Sequence, residues 1–277
     1  MFKLVSIHFI VLFSFSQSKI AFTVNREIHL MNPDGTSLVQ LTNYKVPGHT
    51  PVSKNPQWTR DNKKIVFIYD PEWHGGMSLY IMNSDGTNDL RLTGKPSSKA
   101  NASWSPAVSP DGTRALFISK RTNNYEIYQI EIATKKLINL SNSSENEDDP
   151  AYSSDGNWIS YTRDGNLWKM KSDGSGQIKL FDGKYGHSGF SKDDTYIAFT
   201  RIEGEIATIL YCRTNASDLR TITTDAISYS TVSWAPDNRQ IVYLNKNEKI
   251  TTIDIDGSNK NVVRNGYDPS WSYQMVP

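Results

Sequence analysis

The chain repeats one short pattern, and the spacing of its copies limits the possible folds. The best-preserved copy, Pro150 to Tyr161, reads PAYSSDGNWISY. Each copy has an aromatic residue or Val, an Asp three residues later, a small turn residue and then alternating apolar residues. This order predicts a strand, a tight turn in which Asp binds backbone amides, and a second strand. The other copies begin at Pro56, Pro106, Ser188 and Val232, and a fragment, Pro269 to Ser272, lies near the end of the sequence.

A second element alternates strictly with the first. It is a strand with large alternating residues, followed by a turn in which Asp-Gly or a substitute supplies a positive φ. Its clear copies are Ile28 to Thr36, Leu79 to Thr87, Leu167 to Ser175 and Ile250 to Ser258, and its weaker copies are Ile127 to Thr134 and Leu210 to Ser217. A short pair usually follows, and we expect it to form an outer edge strand. These pairs are Leu41-Thr42, Leu92-Thr93 and Leu140-Ser141.

The period of the repeat selects the architecture. The Asp of the first element stands at positions 61, 111, 155, 193 and 237, so the intervals are 50, 44, 38 and 44 residues. One four-stranded propeller blade takes roughly 40–45 residues, whereas a β-helix repeats in far fewer and a leucine-rich repeat in about 20–29. The sequence therefore predicts an all-β protein, a β-propeller.

The number of copies predicts the number of blades. The second element occurs six times, and the first occurs five times plus the C-terminal fragment. We expect six four-stranded antiparallel blades, with the ring closed by strands from both termini, which leaves no open edge between the first and last blades. Because the copies around Asp193 and Leu210 are irregular, five or seven blades remain open at this point.

The paired motifs resemble the repeat of TolB-type propellers of bacterial cell envelopes. The resemblance spans nearly all of residues 20 to 272. Its motif residues are Pro56 to Asp61, Pro106 to Gly112, Pro150 to Gly156, Pro269 to Ser272, Leu79 to Thr87 and Leu167 to Ser175. It implies a propeller that binds protein. TolB itself carries an N-terminal α/β domain before the propeller, and in this chain we expect the propeller alone, which weakens a full Tol–Pal role. Similar repeats occur in prolyl-oligopeptidase-like peptidases and oligogalacturonate lyases.

The composition and residues 1–18 restrict the class of partner and the cellular location. The net charge is +1, which argues against nucleic acid as a partner. The single cysteine, Cys212, excludes an intrachain disulfide and a multi-cysteine metal site. Residues 1–18 have an early Lys3, a short apolar run and small residues at the end, which predicts a signal peptide. We expect a single propeller domain over residues 19–277, periplasmic or secreted, monomeric and without a membrane span after cleavage.

Blade geometry predicts one candidate site. The residue three positions before the aromatic position begins each inner strand and is expected at the mouth of the central channel. These six residues are Asn55, Ser105, Asp149, His187, Thr231 and Asp268. Such a ring could bind a protein or peptide, or hold Ca²⁺ or another divalent cation, with Asp149 and Asp268 as the candidate ligands. The alternative is that the six side chains only cap strand starts and bind water.

A loop outside the repeat is a second candidate. Trp73 and His74 lie in an insertion, Pro71 to Gly76, and an exposed Trp on such a loop is a candidate anchor for a partner. The acidic run from Glu145 to Asp149 is either a solvated connection between blades or a cation loop. By contrast, the aromatic residues that repeat in register are expected to pack between blades. They are Trp58, Tyr152, Phe190, Trp234 and Trp271.

Two functions fit these features. The first is a non-catalytic scaffold that binds a protein or peptide of the cell envelope. The second is a propeller enzyme, a carbohydrate lyase or hydrolase, with a metal or acid–base site in the channel formed by Asp149, His187 and Asp268. The sequence has no G-x-S-x-G nucleophile motif and no H-E-x-x-H motif. The enzymatic alternative requires the three side chains to converge.

Overall fold

A computed structural model describes residues 18–71, 76–94, 98 and 101–274. These residues form six four-stranded antiparallel sheets arranged as the blades of a propeller, which confirms the predicted fold and blade count. In this part of the chain, no helix is long and apolar enough to cross a membrane. The predicted signal peptide, apart from Ser18, and the loop residues Trp73 and His74 lie outside the described residues.

The strands of each blade follow one another from the channel outward. Blade 1 contains β24 (Tyr267–Trp271), β1 (Ile20–Val24), β2 (Glu27–Met31) and β3 (Val39–Gln40), and blade 2 contains β4 (Val52–Trp58), β5 (Lys64–Asp70), β6 (Ser78–Asn83) and β7 (Leu90–Arg91). Blade 3 contains β8 (Trp104–Val108), β9 (Arg114–Ser119), β10 (Glu126–Glu131) and β11 (Leu137–Asn139). Blade 4 contains β12 (Glu147–Tyr152), β13 (Trp158–Arg163), β14 (Asn166–Lys171) and β15 (Ile178–Phe181).

The last two blades include the irregular copies of the repeat. Blade 5 contains β16 (Tyr185–Phe190), β17 (Tyr196–Glu203), β18 (Ile206–Arg213) and β19 (Arg220–Ile227), and blade 6 contains β20 (Val232–Trp234), β21 (Gln240–Leu244), β22 (Lys249–Asp254) and β23 (Asn261–Asn265). In blade 1 the C-terminal strand β24 pairs with β1, so the two ends of the chain close the ring as predicted.

The Asp of the first element forms its turn through side-chain hydrogen bonds. In blade 4, Asp155 Oδ1 accepts hydrogen bonds from Ser153 Oγ at 2.6 Å and from the Asn157 amide at 2.9 Å. Gly156 between them has φ of 76°, a left-handed conformation that glycine adopts without strain. Because neighbouring residues form this turn locally, the motif is visible in the sequence.

The short pairs after the second element are not the outer strands, which end just before them. In blades 1, 2 and 3 the hydroxyls of Thr42, Thr93 and Ser141 accept backbone hydrogen bonds from the start of the third strand, at 2.9 to 3.0 Å. The Thr or Ser therefore leaves the edge of the sheet and satisfies a buried amide. The expectation of an edge strand at these pairs was wrong by about two residues.

The core consists of six apolar clusters, one between each pair of neighbouring blades. Trp58 of blade 2 packs against Ala21 and Ile28 of blade 1, and its indole N–H donates to the Ser270 carbonyl at 3.1 Å. Trp234 donates in the same way to the Gly189 carbonyl of blade 5 at 2.9 Å. The repeated aromatic residues thus pack between blades, as expected.

Candidate functional site

The six predicted residues lie at one end of the central channel, where the inner strands begin. All six are half-buried. Five of them line a central cavity of about 120 Å³, and the sixth, Asp268, directly precedes Pro269, which also lines it. The predicted register therefore places these residues together, and we call this set the ring.

A bulge in the inner strands of blades 1 to 5 directs their ring residues into the channel. In blades 2, 3 and 4 the strand pairing shifts register at the ring residue. Asn55, Ser105, Asp149 and Asp268 have φ between 43° and 53°. Asn and Asp tolerate this left-handed conformation better than most residues, so their recurrence at the ring has a backbone cause as well as a chemical one.

Ring carboxylates connect neighbouring blades. Asp149 Oδ2 accepts from the His187 amide at 3.1 Å, and Asp268 Oδ2 accepts from the Asn55 amide at 3.3 Å. Each carboxylate thus binds the ring residue of the next blade. Thr231 contacts the Pro269 carbonyl with its hydroxyl at 3.4 Å. These bonds are the strand-start capping considered above, and they leave the channel side of the ring open.

The strongest contact in the ring is an ion pair. His187 Nδ1 lies 2.9 Å from Asp149 Oδ1. Burial disfavours the imidazolium, but the carboxylates of Asp149, Asp148 and Asp268 outweigh it and raise the pKa of His187 to about 9. Burial also favours protonation of Asp149, but the His187 imidazolium and its hydrogen bonds outweigh that effect and lower the pKa of Asp149. Both groups are therefore charged at neutral pH.

Asp148 is a site residue that the ring register did not predict, although it lies in the acidic run from Glu145 to Asp149. Its Oδ1 accepts from Ser105 Oγ at 2.8 Å, and Ser105 also reaches Asp149 Oδ1 at 3.4 Å. Asp148 is exposed at the channel mouth, and partial desolvation by its neighbours together with the Asp149 carboxylate raises the pKa of Asp148 to about 6. Burial also raises the pKa of Asp268. Above pH 6 the carboxylates of the ring and Asp148 outnumber its one imidazolium.

The acidic run before the ring divides into different environments. Glu147 begins β12 and is buried, and Arg163 Nε donates to its Oε1 at 2.7 Å. Glu145 is half-exposed and lies 3.6 Å from the same guanidinium. Glu147 is therefore a structural ion-pair partner, whereas Asp148 and Asp149 belong to the channel. Among the described residues, no group of three or more His, Cys, Asp or Glu side chains is arranged to hold a metal ion.

The three groups required by an enzyme converge only in part. Asp149 and His187, from neighbouring blades 4 and 5, are in contact. Asp268 comes from blade 1, on the opposite side of the ring from blade 4, and its carboxylate accepts hydrogen bonds from the Asn55 amide and the Thr23 hydroxyl. The channel end therefore has one carboxylate–imidazole pair and a separate carboxylate.

Comparisons with known proteins agree with this architecture. The family described as "TolB beta propeller domain" matches residues 97–275. An uncharacterised protein of Agrobacterium fabrum is 26% identical over 143 residues, which are 50% of this chain and 47% of that protein. The Tol-Pal system protein TolB of Helicobacter hepaticus is 26% identical over 149 residues, 51% of this chain and 32% of that protein. These alignments span less than half the length of either relative.

A solved structure is similar over nearly the whole chain. The crystal structure of TolB from Acinetobacter baumannii superposes with a TM-score of 0.77 at 19% identity, covering 94% of this chain and 67% of that one. At this identity the similarity concerns the fold alone.

Proposed function

Because this chain belongs to the TolB β-propeller family, we propose that it is a non-catalytic scaffold that binds a protein or peptide at the ring end of its channel. The observation that carries the proposal is the half-open acidic cluster of Asp148, Asp149 and Asp268 around a single imidazole. A basic side chain or a terminal ammonium of a partner would complement it, and such complementarity guides both register and association rate.

A named relative and the predicted signal peptide support a class of partner and a location. One relative is by its name a component of the Tol-Pal system, which supports a protein partner for this chain as well. The signal peptide predicted over residues 1–18 supports a location in the periplasm or outside the cell. We therefore infer that the partner is a protein or peptide of the cell envelope.

The chemistry of His187 favours binding over catalysis. A general base works best when its pKa lies near the operating pH. The pKa of His187 is about 9, and its Nδ1 is engaged with Asp149, so at neutral pH this imidazole is a cation held in place. The protonated imidazole of His187 can orient a carboxylate or line the channel mouth, but it is poorly suited to removing a proton.

Site-specific crosslinking tests the proposal. A photoreactive amino acid at Thr231, at the ring, should capture a partner in cells, whereas the same group at Ile178, on the exposed outer strand β15, should not. With the captured partner purified, we expect Asp148→Asn/Asp268→Asn to weaken its binding by about tenfold or more, because desolvated charge pairs of this kind contribute well over 1.4 kcal/mol. Capture from Ile178 instead, or equal affinity of the double variant, would place the partner elsewhere.

A further inference from the structure

The opposite end of the channel has a second set of six residues. The inner strands run from the ring to the Asp turns, and the residue directly before the turn Asp faces this end. In blades 2 to 6 these residues are Arg60, Pro110, Ser154, Lys192 and Pro236. In blade 1, which has no turn Asp, Tyr273 takes the corresponding place two residues after Trp271. Lys192 follows His187 by five residues, which is about 16 Å along an extended strand. Lys192 and Tyr273 both line the same cavity as the ring.

Lys192 is a half-buried amine in the channel wall. Its backbone amide donates to Asn238 Oδ1 at 2.6 Å, which fixes the residue at the blade 5–blade 6 interface. Its Nζ lies 3.7 Å from the centre of the Tyr273 ring, which stabilises an ammonium but satisfies none of its three N–H groups with an oxygen acceptor. Among the described residues, no carboxylate forms an ion pair with this amine.

The carboxylates at this end are already engaged. Asp194 accepts the amides of Ser154 and Asp155 at 2.6 and 2.7 Å. The turn residues Asp61, Asp155 and Asp193 each accept the hydroxyl two positions before them, at 2.6 to 2.7 Å. Arg60, on the other side, donates to the Ser154 carbonyl at 2.7 Å and adds a second positive charge. These hydrogen bonds hold the carboxylates at the turns, and none of the four is paired with Lys192 Nζ in the part of the chain that the structure describes.

We propose that the Lys192 end of the channel binds a small organic carboxylate, whose oxygens accept hydrogen bonds from Lys192 Nζ. The wall between the two ends supports an aliphatic body, because Ala107, Val108 and Ala151 line it together with aromatic residues. A dianion such as phosphate would lose more hydration than one ammonium restores. This site does not depend on a partner at the ring.

The protonation state of Lys192 gives the site a pH signature. Burial lowers the pKa of Lys192 to about 7. Burial also raises the pKa of the facing Tyr273 to about 12, so the phenol is neutral throughout the range. Of the groups at the ring, Asp148 titrates near pH 6 and His187 near pH 9. A carboxylate selects the ammonium form, so its affinity should fall by about tenfold between pH 6 and pH 8.

The experiment compares acetate with acetamide, a neutral molecule of the same shape. In protein with ¹³C-labelled lysines, at fixed ionic strength, we expect acetate to shift the Lys192 resonance saturably and acetamide not to shift it. The Lys192→Met variant assigns the resonance and should lose acetate binding, measured by saturation transfer to the acetate methyl group. Lys246→Met, at an exposed lysine, is the matched control and should retain it.

Three results would overturn the proposal. The first is that acetamide shifts the Lys192 resonance as acetate does. The second is that added acetate shifts the resonances of all lysines equally. The third is that Lys192→Met binds acetate as tightly as the unchanged protein. The comparison of acetate with acetamide uses the unaltered chain, so it decides the question even if Lys192→Met fails to fold.

Discussion

The imidazole of His187 bridges two blades, because its Nδ1 lies 2.9 Å from Asp149 Oδ1 while its own backbone amide donates to Oδ2 of the same carboxylate at 3.1 Å. One side chain of blade 4 thus binds both the backbone and the side chain of blade 5. The contact couples the charge of the candidate site to the cohesion of the ring.

This coupling predicts a pH-dependent contribution of His187 to stability. The folded-state pKa of about 9 lies above the ordinary value of 6.5, so the stabilisation is complete below pH 6.5 and is lost as the pH rises toward 9. We expect His187→Gln to lower the free energy of unfolding by about 2–3 kcal/mol at pH 6 and by much less above pH 9. Denaturant unfolding of both proteins across this range measures the difference.

The effect of His187 has to be taken as the difference between His187→Gln and the unchanged protein at each pH. The ionisation of Lys192 also changes the free energy of unfolding with pH, in the opposite direction. Its pKa of about 7 lies below the ordinary 10.5, so its unfavourable burial is relieved as the pH rises. His49→Gln, at an exposed histidine, is the control and should leave the curve unchanged. A His187→Gln effect that is constant from pH 6 to pH 10 would show that the ion pair is not its cause.

The alternative of a divalent cation at Asp149 and Asp268 has its own test. The His187 imidazolium occupies Asp149 and adds a positive charge, so it competes with a cation. We expect calorimetry to show weak Ca²⁺ binding, about millimolar, and binding several-fold tighter in His187→Gln. Asp149→Asn/Asp268→Asn should abolish the signal. Unchanged heat in that double variant would exclude these two carboxylates as ligands.

The fold was predictable because its signals are local. The turn around Asp155 needs only neighbouring residues, and the aromatic position repeats with it, so strand order and blade number follow from counting. The ring followed from the same register. Asp148 did not, because consecutive residues of a regular strand point to opposite faces. The bulge at Asp149 breaks that alternation and places both carboxylates within reach of the Ser105 hydroxyl at the channel mouth.

Lys192 was missed for a different reason. The copy around Asp193 departs from the repeat, and the sequence alone made its S-K-D-D segment look degenerate. In the structure Lys192 lines the channel, and Asp194 links two blades. The depressed pKa of Lys192 depends on long-range enclosure by the other blades, which no local pattern contains.

Glycines in the outer turns should differ sharply in their tolerance of a side chain. Gly174 has φ of 87°, and an added Cβ would lie 2.7 Å from the Leu140 carbonyl of the preceding blade. We expect Gly174→Ala to lower the free energy of unfolding by about 2–3 kcal/mol, from the left-handed backbone and the clash together. Gly48 also has positive φ but open space around it, so Gly48→Ala should cost only about 1 kcal/mol. Equal costs in thermal or denaturant unfolding would contradict the role of the clash.

One hydrogen bond between neighbouring blades recurs at the Lys192 end of the channel, and its absence in one blade predicts a stabilising substitution. Asn62 and Asn238, the residues after the turn Asp in blades 2 and 6, accept the amides of Tyr273 and Lys192 in the preceding blades, at 2.8 and 2.6 Å. Blade 3 has Gly112 at this position, and the corresponding donor in blade 2 is the Arg60 amide. Gly112 has φ of 67°, which Asn adopts readily, and a Cβ there would meet only a methyl group at 3.6 Å.

We therefore expect Gly112→Asn to raise the free energy of unfolding by about 1 kcal/mol, the usual value of one added hydrogen bond. Blade 4 supplies the control, because its Gly156 faces Pro110, which has no amide hydrogen to donate, and an added Cβ would lie 3.3 Å from the proline ring. Gly156→Asn should give no gain or a small loss. If denaturant unfolding shows equal gains at both glycines, the effect comes from the unfolded chain losing glycine flexibility, and the bond between blades is not its source.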